Sequence, residues 1–411
     1  MRFSCFWLVV SNGVGLLLAF LLVFPGAGQV MGILTYGRWM PLHMEWHLYG
    51  WCSLPLLGLL MKEFLGTSKN GIGESRFALL AWSMGLIAGG VAFLSGHASG
   101  KLFLSWSGFS RVFFPLSLCV VWSVLATAWI RDWRNPAYSG WRSIFRALIL
   151  LVLAGVPLAL YYASSGSIYP PVNPGSGGAT GHSLLASSLG ILGLFGIIPF
   201  LLGLIKRPSA MHKVFWISFA LSWMGYQLIQ HGSVPNTEQD QIIGLGSLMG
   251  MTPVLILYYN AWQWPEGTRP WRIAFFIWWS VLAVSGWITF LPGTLDSMKF
   301  TNGMVAHAHL AMAGMITAFN FILMASLSKT TRVPEAGCFG GWHPFILWNL
   351  ACACMVSVLL IQGVREGLNP AVLFGPDSLT LTVYALRMIA GVCMFIASVW
   401  WLRSVWKLKK I

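Results

Sequence analysis

Six of the nine histidines in this chain are predicted to lie at one common depth of a membrane. They are His43, His97, His182, His231, His307 and His309. Imidazole is costly in hydrocarbon, so a layer of such side chains from several helices needs a shared partner. Imidazole is also a common metal ligand. The pattern therefore predicts a buried metal, or a cofactor that contains one, near one face of the membrane.

The pair His307 and His309 in GMVAHAHLAMAG narrows the kind of cofactor. Two residues on an α-helix are about 200° apart, so these imidazoles face opposite ways. A single metal ion does not readily take both, whereas two haems that flank the helix can each take one. Alanines and Gly314 around the pair would let flat macrocycles approach the backbone. The alternative is a pair of histidines that hydrogen-bond between helices.

A second histidine pair, His43 and His47 in MPLHMEWHLYGW, stands one helical turn apart on a single face. Either imidazole could bind an iron from the side opposite His307 or His309. Glu45 and the histidine that does not bind iron would then have a supporting or packing role.

His182 and His231 fall at the same depth and are candidates for a second metal. Imidazole suits copper or non-haem iron, and the alternative is a capping or interfacial histidine at each position. Arg387, in TVYALRMIAG, lies within the last apolar stretch and needs an anion there. A haem propionate is one candidate, and snorkelling of the guanidinium to the surface is the other.

The composition explains where these residues sit. The chain is 57% hydrophobic and 9% charged, its mean hydropathy is +0.72, and it has 23 tryptophans. These values are typical of a polytopic membrane protein. Because a spanning helix needs about 20 apolar residues, the sequence predicts an all-α fold of twelve transmembrane helices. The predicted spans are near 5–25, 40–61, 77–96, 111–130, 144–163, 181–205, 213–231, 242–262, 272–292, 303–327, 342–363 and 382–402. Only short loops remain, so a single transmembrane domain is predicted over 1–411.

The distribution of Lys and Arg predicts the orientation. If the N- and C-termini are inside, 19 of the 25 basic residues lie on the inner side, as the positive-inside rule requires. The first stretch is then a retained helix rather than a signal peptide. This topology accounts for the net charge of +14, so no nucleic-acid partner is expected.

At TYGRWMPLH, GHSLLASSLGILG and AHAHLAMAGM the chain resembles subunit I of the heme-copper oxidases. It is most similar to the C-type branch, which uses b-type haems and c-type cytochrome donors. The resemblance implies a multi-pass protein of the bacterial inner membrane that reduces O2. Its implied partners are c-type cytochrome subunits on the outer side, other membrane subunits and the lipid bilayer.

The resemblance also implies roles for individual residues. His43 and His309 would bind a low-spin haem b, and His307 would bind a high-spin haem b. His182 and His231 would bind copper. Tyr226 falls at the family's tyrosine, which is covalently tied to a copper histidine and counted as catalytic.

Three departures keep other functions open. The family has two adjacent copper histidines where this chain reads IQHGSVP, with one. The glutamate of the family's ninth helix has no counterpart in GWITFLPGTL, and KLFLSWSGFS replaces an acidic segment before helix four. The alternatives are an electron-transfer or scaffold subunit derived from an oxidase, a nitric oxide reductase, and a twelve-helix transporter. A transporter is disfavoured because its polar residues would lie at mid-membrane and internal repeats would be expected.

Overall fold

The computed structural model describes residues 1–66, 68–133, 140–168, 184–229, 238–289, 291–330 and 341–407. Within these ranges the chain is almost entirely helical, which confirms the all-α prediction. The exception in the same ranges is a two-residue antiparallel pair of β1 (Ile205–Lys206) with β2 (Trp262–Gln263).

Nine helical stretches of the described residues are long and apolar enough to cross a membrane, so the chain is a multi-pass membrane protein. They are Arg2–Val23, Gly71–Leu94, Ser110–Asp132, Arg142–Ala163, Gln239–Asn260, Glu266–Ile288, Asn302–Ser328, Trp342–Leu368 and Ser378–Lys407. Each coincides with a predicted span. The other three predicted spans, near 40–61, 181–205 and 213–231, stay predictions, as does the inside position of both termini.

The chain divides into two compact units, Met1–Pro171 and Val172–Ile411, and each is described here by itself. One transmembrane domain over 1–411 stays a prediction. In chain order the first unit contains α1 (Arg2–Val23), α2 (Pro25–Val30), α3 (Tyr36–Glu45), a π-helix (Trp46–Cys52), α4 (Leu54–Leu65), α5 (Gly71–Leu94), α6 (Ser110–Asp132) and α7 (Trp141–Ala163).

The second predicted span is not one continuous α-helix, and a proline lies on either side of the break. Pro41 lies inside α3, and Pro55 lies in the first turn of α4. Proline lacks the N–H that an interior helical position needs, so the regular ladder is interrupted near each ring. Between them the chain forms the wider π turn Trp46–Cys52.

A buried arginine joins three helices of the first unit. Arg146 of α7 is fully buried, and its Nη2 donates to the carbonyl oxygens of Glu63 and Phe64, each at 2.9 Å. Its Nη1 lies 3.5 Å from a carboxylate oxygen of Asp132 on α6. A buried guanidinium with this many acceptors fixes the ends of α4, α6 and α7 relative to one another.

The second unit is larger. Its described elements are α8 (Leu184–Leu201), β1, α9 (Met211–Leu228), α10 (Gln239–Ser247), a 3₁₀ turn (Leu248–Gly250), α11 (Met251–Asn260), β2, a 3₁₀ turn (Glu266–Thr268), α12 (Arg269–Ile288), α13 (Thr294–Met298), α14 (Asn302–His309), a π-helix (Leu310–Ile316), α15 (Thr317–Thr330), α16 (Trp342–Leu368), a 3₁₀ turn (Pro370–Leu373) and α17 (Ser378–Lys407). The span Asn302–Ser328 forms its centre, because 83% of an 18-residue apolar window within it is buried.

Two glycines let α16 cross the start of this central span at very short range. A Cβ built on Gly363 would collide with the backbone of Gly303, and one on Gly367 would collide with the carbonyl of Ser297. The two glycines are four residues apart, which is the small-residue spacing that permits close helix crossings in membranes. The position of α14 therefore depends on the absence of side chains on α16.

Gly363→Ala is expected to destabilise the protein by about 1–3 kcal/mol, because the new methyl group meets backbone atoms that have no space to move. Thermal unfolding in detergent measures the change. Gly58→Ala on α4 is the matched control, since a Cβ there meets no atom within 4 Å and alanine favours the helix. Equal melting temperatures for the two variants would contradict the proposed close crossing.

Candidate functional site

Both helices that carry histidine pairs leave regular α geometry beside their histidines. In the first unit, α3 gives way to the π-helix that begins at Trp46, between His43 and His47. In the second unit, α14 ends at His309 and the π-helix Leu310–Ile316 follows directly. Single π turns occur mostly at functional sites, where they redirect side chains.

The imidazole of His43 is held in one orientation by α1. Its Nδ1 lies 3.0 Å from the carbonyl oxygen of Ser11, so this nitrogen carries the proton and Nε2 carries the lone pair. A Cβ on Gly15, one turn further along α1, would collide with the ring. His47 packs edge-on against His43 with ring centroids 4.7 Å apart. This is the tautomer and support that a metal-binding histidine requires.

Glu45 lies between the two histidines in sequence and is fully buried. Its Oε1 accepts the backbone N–H of Ser105 at 2.7 Å, which ties the loop after α5 to α3. Its Oε2 is buried and has no hydrogen-bond partner among the described residues. Tyr49, one turn later, donates its hydroxyl to the carbonyl of Phe103 in the same loop at 3.2 Å. Glu45 therefore supports the backbone around the histidines.

His309 of the second unit also has a backbone carbonyl beside its Nδ1, but this one belongs to its own helix. Its Nδ1 lies 2.8 Å from the carbonyl oxygen of Val305, one turn earlier in α14. The proton again belongs on Nδ1, which leaves the lone pair on Nε2.

His307 faces α12, where Gly286 leaves room for its ring. A Cβ on Gly286 would lie 3.3 Å from Cε1 of His307. The Nδ1 atom of His307 is buried and has no hydrogen-bond partner within the described part of the chain. Buried polar atoms are nearly always paired, so this ring calls for a partner that is not among these residues.

Arg387 of α17 is 9% exposed, and its Nη1 donates a long hydrogen bond of 3.3 Å to Oδ1 of Asn302. No carboxylate lies within ion-pair distance of it among the described residues. A buried cation without a counter-ion is expensive, so an anionic group is expected beside it.

Asn302 also contacts a buried carboxylate. Both oxygens of Glu366 on α16 accept from Asn302: Oε2 from the backbone N–H at 2.7 Å, and Oε1 from Nδ2 at 2.6 Å. Asn302 is the first residue of α14, so this contact lies at the start of the helix that carries His307 and His309.

The candidate copper residues are only partly described. Tyr226 is half-buried on α9, with its ring centroid 5.5 Å from that of Trp223. His182 and His231 lie outside the described residues, so their roles stay predictions. His97 lies exposed in the loop after α5. Within the described ranges, no three His, Cys, Asp or Glu side chains are close enough together to share a metal ion.

The histidines and Arg387 fit haem as the absent group. His43 and His309 each present a ring whose Nδ1 is already bonded to a carbonyl, as axial ligands do. His307 has an unpaired buried nitrogen, and Arg387 is a buried cation suited to a propionate. Gly15 and Gly286 leave space for the rings themselves.

A comparison with solved structures identifies the fold. The chain resembles one chain of a heme-copper terminal oxidase dimer determined by cryo-electron microscopy. The TM-score is 0.52 at 12% sequence identity, and the match covers 99% of this chain and 85% of that one. No protein-family model matches the sequence, and neither does any curated protein. The chain therefore has a heme-copper-oxidase-like fold, as predicted, while its C-type character stays a prediction.

Sequence reasoning missed the residues that position the imidazoles. Ser11, Gly15 and Gly286 carry no motif, and only the folded chain brings them to the imidazoles. The sequence gives only a weak indication that Glu366 is functional: in GVREG it lies between two glycines spaced by four.

Proposed function

We propose that this chain is the haem-carrying subunit of a respiratory terminal oxidase. The observation that carries the proposal is the carbonyl bond at Nδ1 of both His43 and His309. That bond prepares each Nε2 to bind iron, and the oxidase-like fold provides the setting. The finer proposal is a C-type enzyme of the bacterial inner membrane, with b-type haems and c-type cytochrome donors on the outer side.

The residues have separate tasks in this proposal. By the resemblance to the oxidases, His43 and His309 would hold the low-spin haem, and His307 would hold the high-spin haem. Arg387 would hold a propionate. Iron bound in this way would supply one-electron chemistry and an open position for O2. His182 and His231 would hold copper, and Tyr226 would offer its phenol proton beside them.

A second candidate is an electron-transfer or scaffold subunit derived from an oxidase. The single histidine in IQHGSVP favours it, because copper would have few protein ligands. Nitric oxide reduction is the related enzymatic alternative.

Metal analysis of the purified protein separates these functions. An oxidase is expected to contain two haems b for each copper, and its reduced form should bind carbon monoxide. Two haems without copper, and without a carbon monoxide spectrum, would indicate the electron-transfer subunit. Nitric oxide turnover that exceeds O2 turnover would indicate the reductase. A colourless protein would contradict all three.

His43→Ala and His309→Ala are each expected to abolish the six-coordinate low-spin spectrum, because either change removes one of two axial ligands. Electron paramagnetic resonance and the reduced optical spectrum measure the loss. His343→Ala is the matched control, since this histidine stacks on Trp400, at a centroid distance of 5.8 Å, and has no proposed ligand role. A normal low-spin spectrum in His43→Ala would transfer the ligand role to His47.

His307→Ala is expected to remove the haem that reacts with carbon monoxide and to leave most of the low-spin haem in place. The reason is the opposite orientation of His307 and His309 on α14. Carbon monoxide difference spectra and total haem content give the measurement. Loss of both haems in equal amounts would refute the assignment of separate sites.

A further inference from the structure

We propose that Glu366 is a positioning residue for the two histidines of α14. Its carboxylate holds Asn302, the first residue of that helix, and so sets the rotation and depth of His307 and His309. This inference rests on the proposed function, because it assigns Glu366 to the haem ligands rather than to stability alone.

Glu366 accepts two hydrogen bonds from Asn302. The backbone N–H of Asn302 donates to Oε2 at 2.7 Å, and its side-chain Nδ2 donates to Oε1 at 2.6 Å. Glu366 is 2% exposed, so water does not compete for these bonds. A carboxylate is also favoured at a helix N-terminus, where unpaired N–H groups point outward. Thr301 accepts the next free N–H, from Gly303 at 3.1 Å.

The carboxylate is itself held firmly. Gln362, one turn earlier on α16, donates from Nε2 to Oε1 of Glu366 at 3.1 Å. Arg365 donates to Oε1 of Gln362 at 3.1 Å and to Oδ2 of Asp377 at 2.6 Å. Hydrogen bonds from Thr380 and Arg365 hold the pKa of Asp377 down to about 2, so this end of the network is charged at neutral pH.

Both histidines lie close to the start of the span that Glu366 contacts. α14 has 8 residues, and His307 lies five residues after Asn302. Gly363 lies against Gly303 and blocks any movement of that first turn toward α16. Arg387 contacts Asn302 from another side, at 3.3 Å. A rotation released at Asn302 would therefore turn both imidazoles away from their positions.

Glu366→Gln tests this pair of hydrogen bonds, because both carboxylate oxygens of Glu366 act as acceptors. In either orientation of the amide, its NH2 group faces a donor of Asn302. The double variant Glu366→Gln with Asn302→Asp restores a donor–acceptor pair, since the new carboxylate accepts from the amide. Asp377→Asn is the control, because it changes the exposed end of the same network and leaves the contact with Asn302 intact.

Two measurements on the whole protein in detergent are needed. Hydrogen exchange of the first-turn amides of α14 is expected to accelerate about 10- to 100-fold in Glu366→Gln, from the loss of a buried hydrogen bond to a charged group. The low-spin electron paramagnetic resonance signal and the carbon-monoxide-reactive fraction should both shift or fall. Asp377→Asn should match the wild type in both measurements, and the double variant should match it in hydrogen exchange.

The outcomes separate the two proposals. A wild-type exchange rate in Glu366→Gln would show that Glu366 does not hold Asn302, and would overturn the proposal. Faster exchange with unchanged haem spectra would make Glu366 a stabilising residue and overturn the positioning role. Wild-type protein without haem would overturn the proposed function. Hydrogen exchange would still show whether Glu366 holds Asn302. If Glu366→Gln does not accumulate, wild-type exchange at the first turn of α14 in the double variant supports the proposal, and continued failure overturns it.

Discussion

Hydrocarbon offers no hydrogen-bond partners, so each polar group that a spanning helix carries must be satisfied inside the protein. This chain meets the requirement mainly with backbone carbonyls. The indole of Trp46 donates to the carbonyl of Leu86 at 3.0 Å, and the indole of Trp348 to that of Ala313 at 2.9 Å. The Nδ1 atoms of His43 and His309 do the same. Several buried groups have no partner within the described chain, among them six indole nitrogens and the Nδ1 of His307. Of these, the imidazole is the group suited to bind a metal.

The π-helices and the glycines act together on the histidines. A π turn shifts the helical phase, so residues on either side of Trp46–Cys52 or Leu310–Ile316 face directions that a continuous α-helix would not give. Glycines then provide the space that this orientation needs, with Gly15 opposite His43 and Gly286 opposite His307. The positions of these rings thus depend on backbone geometry more than on neighbouring polar side chains.

The fold resembles that of a heme-copper terminal oxidase chain at 12% identity. Such divergence is compatible with one architecture, because a bundle of apolar helices needs hydrophobic surfaces and close crossings rather than particular residues. Function is less tolerant of divergence than the fold, because it depends on a few particular side chains. The contacts of His43, His307, His309 and Arg387 therefore carry more functional information here than the shape of the bundle.

The sequence by itself determined the class of protein and the helices that carry the histidine pairs. Apolar stretches of sufficient length specify spanning helices because bilayer thickness fixes their length, and the spacing of His307 and His309 fixes their divergence on one helix. The break after Glu45 and the carbonyl partner of His43 were decided by tertiary structure, whereas the partner of His309 lies one turn earlier in its own helix. Ser11 and Glu366 are far in sequence from the residues they hold, and nothing in their local pattern encodes that distance. Contacts of this kind arise only when helices pack, because packing selects which carbonyl or carboxylate reaches a given imidazole or helix start.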